Sequence, residues 1–279
     1  MPGSQGLLVK GARSLKEWRE TALHNAERIK QSPMVAVWVP IAFVLLHFAL
    51  IRLCVSYSRE LSATGWAVAG LLLYLCALTA VTIALLWSCR HYHVSGKALG
   101  FRPSTMRADF LWSLRICVLA GAAIAAAIVI GFVGVLCLGI PLPAPPASYV
   151  NVIGGDWTDL RFLAMVSLGG AIAIVLAPVT EELIYRMLFL PPLTYRLGLY
   201  PAIVVTSLAF GLAHVVPFGQ IRIPLPEIVG GLLMATGFAI RWSVVPAVVI
   251  HAMGNLVAGT LALIYVRLFL TYPSLFVRP

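Results

Sequence analysis

The chain has 279 residues, of which 61% are hydrophobic and only 11% are charged, and its formal net charge is +10 at pH 7. A soluble domain carries about 25% charged residues, so the composition indicates an integral membrane protein. The basic residues cluster at the ends of apolar runs, as positive-inside orientation predicts, and no basic and aromatic module points to nucleic acid. The five cysteines lack CxxC spacing and favour neither a disulfide framework nor a zinc cluster.

The first segment, residues 1–33, is polar and rich in charge. It lacks the early apolar core of about 7–15 residues that a cleavable signal peptide needs. Ser14 and Glu17 have the spacing of a capping box, and apolar residues follow at helical spacing. We therefore expect a short amphipathic helix on the cytoplasmic surface of the membrane.

The rest of the chain is organised as apolar runs, and a spanning helix needs about 20 mostly apolar residues. We count about seven candidates, in a range of six to eight. The predicted fold is all-α: a polytopic bundle of transmembrane helices around a membrane-embedded polar cavity. Beyond 1–33, we divide the chain into N-terminal transmembrane helices at 34–155 and a catalytic transmembrane core at 156–270. The candidate spans are 34–55, 62–88, 112–138, 161–190, 199–216, 226–241 and 244–267.

The orientation follows from lysine and arginine in the short loops. The N-terminal segment and the loop at 90–107 are basic, whereas the loop at 139–160 is rich in proline and carries acidic residues. This pattern predicts a cytoplasmic N-terminus, an external 139–160 loop, and inner turns that contain Arg196 and Arg241. We expect a multi-pass protein of a plasma membrane, bacterial in type.

Two adjacent glutamates, Glu181 and Glu182, lie in the apolar stretch between Ala171 and Leu193. A carboxylate is costly in hydrocarbon, so ionisable groups at this depth are functional candidates. Glu182 precedes Arg186 by four residues, which favours an ion pair on one helix face. Glu181 points about 100° away from Glu182, free of that arginine. The alternative is that both acids are interfacial charges at a helix end.

Two later spans each carry a polar pair with helical spacing: Phe210 and His214, then His251 and Asn255. A lone membrane histidine is often a satisfied core residue, and a histidine–asparagine pair is also typical of interhelical hydrogen bonding. Together with the glutamates, however, the set has the chemistry of hydrolysis. A glutamate can take a proton from water, and histidine and asparagine donors can stabilise an oxyanion. No HExxH or sequence-adjacent serine or cysteine nucleophile is present.

These motifs, EExxxR, FxxxH and HxxxN in this order on successive helices, resemble those of the CPBP family of intramembrane proteases. That family includes CaaX prenyl endopeptidases and bacteriocin-protection (Abi) proteins. The resemblance covers about 160–260, and the stretch 99–102, LGFR, is also typical of the family. Met187 occupies the position after Arg186 where members commonly have glycine. The motif residues are Glu181, Glu182, Arg186, Phe210, His214, His251 and Asn255.

The resemblance implies an all-helical bundle with a water-filled cavity that opens to the cytoplasmic side. The catalytic residues it implies are Glu181 as general base, His214 as its assistant, and His251 with Asn255 as the oxyanion site. The residues it implies as structural support are Glu182, Arg186 and Phe210.

A metal is a further expectation for the same site. Glu181, His214 and His251 are candidate ligands of zinc or another divalent metal, with water in an open fourth position; otherwise no cofactor is expected. The predicted depths of the two histidines differ. His214 lies about 15 residues, or ~22 Å, along its helix from the inner side, whereas His251 lies about eight residues in. A shared site requires the fifth span to start outside the hydrocarbon or to tilt.

The leading hypothesis is an intramembrane endopeptidase that hydrolyses a peptide bond with water activated by glutamate and histidine. Its expected partners are a peptide or membrane-protein substrate and the lipid bilayer. A non-catalytic immunity or scaffold protein of the same fold shares every motif and is the second hypothesis. A transporter that uses the buried carboxylates is the third, and no internal repeat supports it. The residues leave open whether the substrate is prenylated.

Overall fold

The structure is a computed structural model that describes residues 63–91, 95–145, 154–214 and 224–276, together with three isolated positions, 20, 93 and 150. Within these ranges the chain forms six helices and no strand, which confirms the all-α prediction. The segment 1–33, apart from Glu20, and the predicted span 34–55 lie outside the described residues. The helices are α1 (Ala63–His91), α2 (Met106–Cys137), α3 (Leu160–Leu197), α4 (Leu199–Ala213), α5 (Leu225–Arg241) and α6 (Val244–Thr271).

Of the described helices, α1, α2, α3 and α6 are long and apolar enough to cross a membrane. Helices α4 and α5 have 15 and 17 residues, which is shorter than the roughly 20 residues that a span needs. On α2, large apolar side chains such as Leu119 and Ile130 are exposed, as expected of a helix that faces lipid. The described part of the chain is thus consistent with a helical membrane bundle, and the count of about seven spans stays a prediction.

Helix α3 is irregular around the two glutamates. Two π-helical segments, Ile172–Leu176 and Leu183–Phe189, flank the α-helical stretch Ala177–Glu182. In the first π segment the N–H of Ala177 donates to the carbonyl of Ile172. The next donor in that pattern would be residue 178, which is proline and has no N–H. The carbonyl of Ala173 is therefore left for a donor from elsewhere in the fold.

Helices α4 and α5 pack closely in antiparallel directions through two glycines. A Cβ at Gly211 would overlap the side chain of Ile228, and a Cβ at Gly231 would lie 3.0 Å from the Cα of Ser207. Gly211, near the end of α4, contacts Ile228 near the start of α5, whereas the earlier Ser207 contacts the later Gly231. The two helices are therefore antiparallel. Helix α6 follows α5 after two residues. The three helices therefore form one packed layer against which α3 lies.

The loop that contains the LGFR stretch is anchored on the α5–α6 turn. The N–H of Val244 donates to the carbonyl of Gly100 (3.0 Å), and the indole N–H of Trp242 donates to the carbonyl of Ala98 (2.9 Å). Gly100 has φ +91°, and a Cβ there would lie 2.5 Å from the ring of Phe238. Only glycine fits this position without strain. The LGFR stretch thus has a structural role in holding the α5–α6 turn.

An ion pair between a partly exposed arginine and a buried aspartate joins the start of α2 to the end of α5. The side chain of Arg241 lies 2.7 Å from Asp109 Oδ1, and Asp109 is fully buried. This contact places the basic loop at 90–107 and the Arg241 turn at one end of the bundle. At the other end, the N–H of Leu142 donates to the carbonyl of Leu275. The two predicted inner segments joined by this contact therefore share one end, and which end faces the cytoplasm stays a prediction.

Candidate active site

Glu182 is the centre of a buried polar network. Its Oε2 lies 3.0 Å from Arg186 Nε, and both side chains are fully buried. Its Oε1 accepts a hydrogen bond from His251 Nδ1 (2.9 Å), and Arg186 Nη2 donates to the carbonyl of Gly231 (3.3 Å). The predicted ion pair is thus present, and the sequence did not predict the bond to His251. Because these contacts join α3 to α5 and α6, the network ties three helices together.

The hydrogen bond from His251 determines how its imidazole is oriented. The carboxylate of Glu182, paired with Arg186, can only accept, so Nδ1 of His251 carries the proton of this bond. The other ring nitrogen, Nε2, then faces Glu181, whose Oε2 lies 3.9 Å away. A buried carboxylate that fixes the tautomer and direction of a histidine is a recurring device in hydrolases.

Glu181, the predicted general base, is buried and has a hydrogen-bond partner at only one of its two carboxylate oxygens. Its Oε1 accepts a hydrogen bond from the hydroxyl of Tyr74 on α1 (3.0 Å). Its Oε2 is buried without a hydrogen-bond partner among the described residues, and the 3.9 Å to His251 is too long for a direct hydrogen bond. An unsatisfied buried carboxylate oxygen is costly. It is therefore the atom at which a water molecule would bind.

His214 and His251 are brought to one site by the ring of Phe210. The ring centroid of Phe210 lies 4.7 Å from that of His214 and 5.5 Å from that of His251. Helix α4 ends at Ala213, so His214 lies just beyond its last turn. Nδ1 of His214 is 2.8 Å from the carbonyl of Phe210, which accepts and so makes Nε2 the unprotonated nitrogen of a neutral ring. The unequal depths along the two helices do not separate the histidines.

Asn255 lies one turn beyond His251 and reaches back to α3. Its Nδ2 donates to the carbonyl of Ala173 (2.7 Å), which receives no hydrogen bond from Pro178 because proline has no N–H. Because an amide nitrogen carries two hydrogens, one donor remains after this bond. Asn255 is thus held in place by the irregularity of α3 and keeps a hydrogen for another acceptor.

A cavity of about 510 Å³ lies between α2, α4, α5 and α6. Its polar lining residues are His214, His251, Asn255 and Glu227. Glu181 is not among the described residues of the wall. It lies behind His251, whose Nε2 is 3.9 Å from Glu181 Oε2. Glu227 was missed by the sequence analysis because an acid in the first turn of a helix is common for electrostatic reasons. Most of the remaining lining is apolar, so the cavity suits an apolar chain that carries a few polar groups.

The candidate metal ligands do not fit a metal site as they are arranged. Among the residues that the structure describes, no group of three or more His, Cys, Asp or Glu side chains is placed to hold a metal ion. His251 Nδ1 is directed to Glu182 and His214 Nδ1 to a backbone carbonyl, so a metal would have to bind at Nε2 of each ring. No step below is therefore routed through a metal. A role for zinc or another divalent metal at Glu181, His214 and His251 stays a prediction.

Residues 163–257 match the family model described as Type II CAAX prenyl endopeptidase Rce1-like. This segment is similar to the domain of Rce1-like CAAX prenyl endopeptidases. The match contains all three motifs and is consistent with the CPBP family, so the predicted resemblance is confirmed. No curated protein and no solved structure matches the chain.

The Rce1-like segment covers about a third of the chain and runs from α3 into α6. Together with the four long apolar helices, this similarity indicates an integral membrane protein. Two residues that contact the Rce1-like segment, Tyr74 and Asp109, come from helices outside it. Met187, which replaces the common glycine, is buried in the hydrophobic core.

Proposed function

We propose that the protein is an intramembrane endopeptidase that cleaves a peptide bond with water activated by Glu181. One observation carries this proposal: two adjacent glutamates differ in their bonding. Glu182 Oε1 accepts a hydrogen bond from His251 Nδ1, and its Oε2, which has no hydrogen bond, lies 3.0 Å from Arg186 Nε in an ion pair. Glu181 is engaged at only one oxygen, and its other oxygen is buried beside His251 Nε2. The second oxygen is where a base would hold water.

In the proposed reaction, water bound at Glu181 Oε2 gives its proton to that oxygen while its own oxygen attacks the carbonyl carbon of the substrate. The tetrahedral intermediate carries its negative charge on the former carbonyl oxygen. Asn255 would stabilise that charge with its second N–H, and His251 would do so as an imidazolium that carries a proton on Nε2 in addition to the one on Nδ1. The C–N bond then breaks, and the proton held by Glu181, with help from His214, is delivered to the leaving amine.

The cavity supports a peptide or membrane-protein substrate. The polar groups of the site lie in the wall of an otherwise apolar cavity. An apolar groove of about 440 Å³ runs between α2 and α6 and shares Leu261 with that cavity. A peptide bond placed at His251 could thus continue into an apolar channel. Because the matched family is described as CAAX prenyl endopeptidase, a prenylated CaaX peptide is the first substrate to test.

The setting that we propose is a multi-pass protein of a bacterial plasma membrane with a cytoplasmic N-terminus. The charge distribution of the sequence supports it, since the basic loops alternate with an acidic, proline-rich one. Cysteine labelling from either side of intact cells tests this orientation.

The test of the proposed function compares wild-type protein with Glu181→Gln in proteoliposomes. The probes are a farnesylated CaaX peptide and an unmodified transmembrane peptide. Glutamine keeps an oxygen for the Tyr74 hydrogen bond but cannot accept a proton, so turnover should fall by about 10²–10⁴-fold. Asp156→Asn, at an exposed position outside the bundle, is the control that should remain active. Normal cleavage by Glu181→Gln would overturn the mechanism.

The second hypothesis, a non-catalytic immunity or scaffold protein, makes a different prediction. It requires that cells with Glu181→Gln keep the wild-type phenotype and that the wild type cleaves neither probe. Comparing the membrane proteomes of wild-type and Glu181→Gln cells covers substrates beyond the two probes. A membrane protein that accumulates uncleaved only in the variant supports the protease.

A further inference from the structure

Tyr74 joins the site from a part of the chain outside the Rce1-like segment. Its hydroxyl donates to Glu181 Oε1 at 3.0 Å across a sequence separation of 107 residues. Resting on the proposed function, we propose that Tyr74 is a positioning residue for Glu181: it holds one carboxylate oxygen so that the other faces His251 and the water.

The orientation of Tyr74 is set by the packing of α1. Tyr74, Ala77 and Val81 have i, i+3, i+7 spacing and share one helix face. Ala77 and Val81 are buried, whereas Leu72 and Leu75 on the other side are exposed. Helix α1 contacts α3 along the stretch that contains Glu181. The tyrosine is therefore directed at the glutamate by the same packing that gives α1 its lipid-facing side.

The hydrogen bond distinguishes the two oxygens of Glu181. The last torsion of a glutamate is broad and roughly two-fold, so an unrestrained carboxylate would exchange its oxygens readily. A phenol that donates to one oxygen forms a charge-assisted bond and opposes that rotation. Oε2 then stays 3.9 Å from His251 Nε2 as the acceptor for water.

The contact satisfies the hydrogen-bonding requirements of both the Tyr74 hydroxyl and the Glu181 carboxylate. A buried phenol normally finds an acceptor for its hydroxyl, and a buried carboxylate needs donors. No other hydrogen bond to Glu181 is present among the described residues beyond the one from Tyr74. Removing the hydroxyl therefore removes the restraint on Glu181 without removing the base itself.

The experiment is Tyr74→Phe, which deletes the hydroxyl and keeps the ring. With the farnesylated CaaX peptide in proteoliposomes, we expect kcat to fall about 10- to 100-fold, as is typical when the partner of a catalytic group is lost. KM should stay within about twofold, since the interaction acts on the reacting state more than on substrate binding. A residue that only fills space would leave both constants unchanged when its ring is kept.

The matched control is Thr82→Val on α1, which also deletes one hydroxyl and keeps the size of the side chain. Thr82 lies on the same helix as Tyr74 and donates its hydroxyl to the carbonyl of Leu78 (2.7 Å). It is exposed and is not among the lining residues of the cavity or of the apolar groove, so its loss should leave kcat unchanged. An infrared difference spectrum between the wild type and Glu181→Gln identifies the carboxylate band of Glu181. Tyr74→Phe should shift that band, and Thr82→Val should not.

The outcomes separate the two proposals. Wild-type turnover by Tyr74→Phe, or an equal loss in Tyr74→Phe and Thr82→Val, overturns the role of Tyr74. An unshifted Glu181 band in Tyr74→Phe overturns it as well. If the wild type cleaves neither probe, the proposed function fails, and the infrared shift alone upholds or overturns the Tyr74 contact.

Discussion

The clearest quantitative test of the polar network is the removal of Glu182. Its side chain and that of Arg186 are fully buried and 3.0 Å apart, so Glu182→Ala leaves an uncompensated buried cation. Breaking such a pair costs about 3–5 kcal/mol, and the lost hydrogen bond from His251 acts in the same direction. Against a total stability of about 5–15 kcal/mol, this loss should strongly reduce the amount of folded protein in the membrane.

Glu181→Ala is the matched comparison on the adjacent residue. It removes one hydrogen bond, from the partly buried Tyr74, at a cost of about 0.5–1.5 kcal/mol. Part of that cost is offset because a buried carboxylate is removed too. We therefore expect Glu181→Ala to accumulate nearly normally while Glu182→Ala does not, with the free energy of unfolding in detergent measured by denaturant titration of both.

A double substitution tests whether charge is the cause. Glu182→Ala combined with Arg186→Met removes both members of the ion pair, and replacing a buried pair with apolar groups is often neutral or stabilising. The double variant should recover at least about 1 kcal/mol relative to Glu182→Ala alone. Equal stability of the single Glu181 and Glu182 variants, or no recovery in the double variant, would refute the reasoning.

Three further predictions concern catalysis, the anchoring loop and metal. Asn255→Ala should lower kcat with the farnesylated peptide by about 10²–10³-fold with little change in KM; a change confined to KM would contradict the oxyanion role. The free energy of unfolding of Gly100→Ala, measured by denaturant titration, should be lower than that of Gly139→Ala by about 1–3 kcal/mol. Both glycines have positive φ, but only at Gly100 does a Cβ meet the Phe238 ring, so equal effects would argue against that clash. Dialysis against a chelator should leave turnover unchanged. If turnover is lost and added zinc restores it, a metal acts at the site.

The features that could be predicted from the sequence are those that a helix fixes locally. Residues four apart lie on one face, so Glu182 and Arg186 pair and His214 lies against Phe210. The apolar runs likewise predict the helices, and the run at 226–241 is found as Leu225–Arg241. Each of these depends only on spacing or composition within one segment.

The features that could not be predicted depend on how helices rotate against one another. The bond from His251 to Glu182 requires a particular rotation of α6 against α3. Tyr74 belongs to an apolar run with no motif around it, so nothing in its neighbourhood links it to Glu181. Asp109 is one acid at the start of a span, and its pairing with Arg241 appears only when α2 and α5 meet.

The break in α3 gives the site its geometry. Helix α6 is joined to α3 by two hydrogen bonds from consecutive turns, His251 to Glu182 and Asn255 to the carbonyl of Ala173. Two bonds fix both the rotation and the sliding of α6, and this directs the second nitrogen of His251 toward Glu181. The bond from Asn255 exists because Pro178 has no N–H to compete for the carbonyl of Ala173. A residue without a reactive group, which is not among the described lining residues of the cavity, therefore helps to set the distance between the proposed base and the histidine beside it.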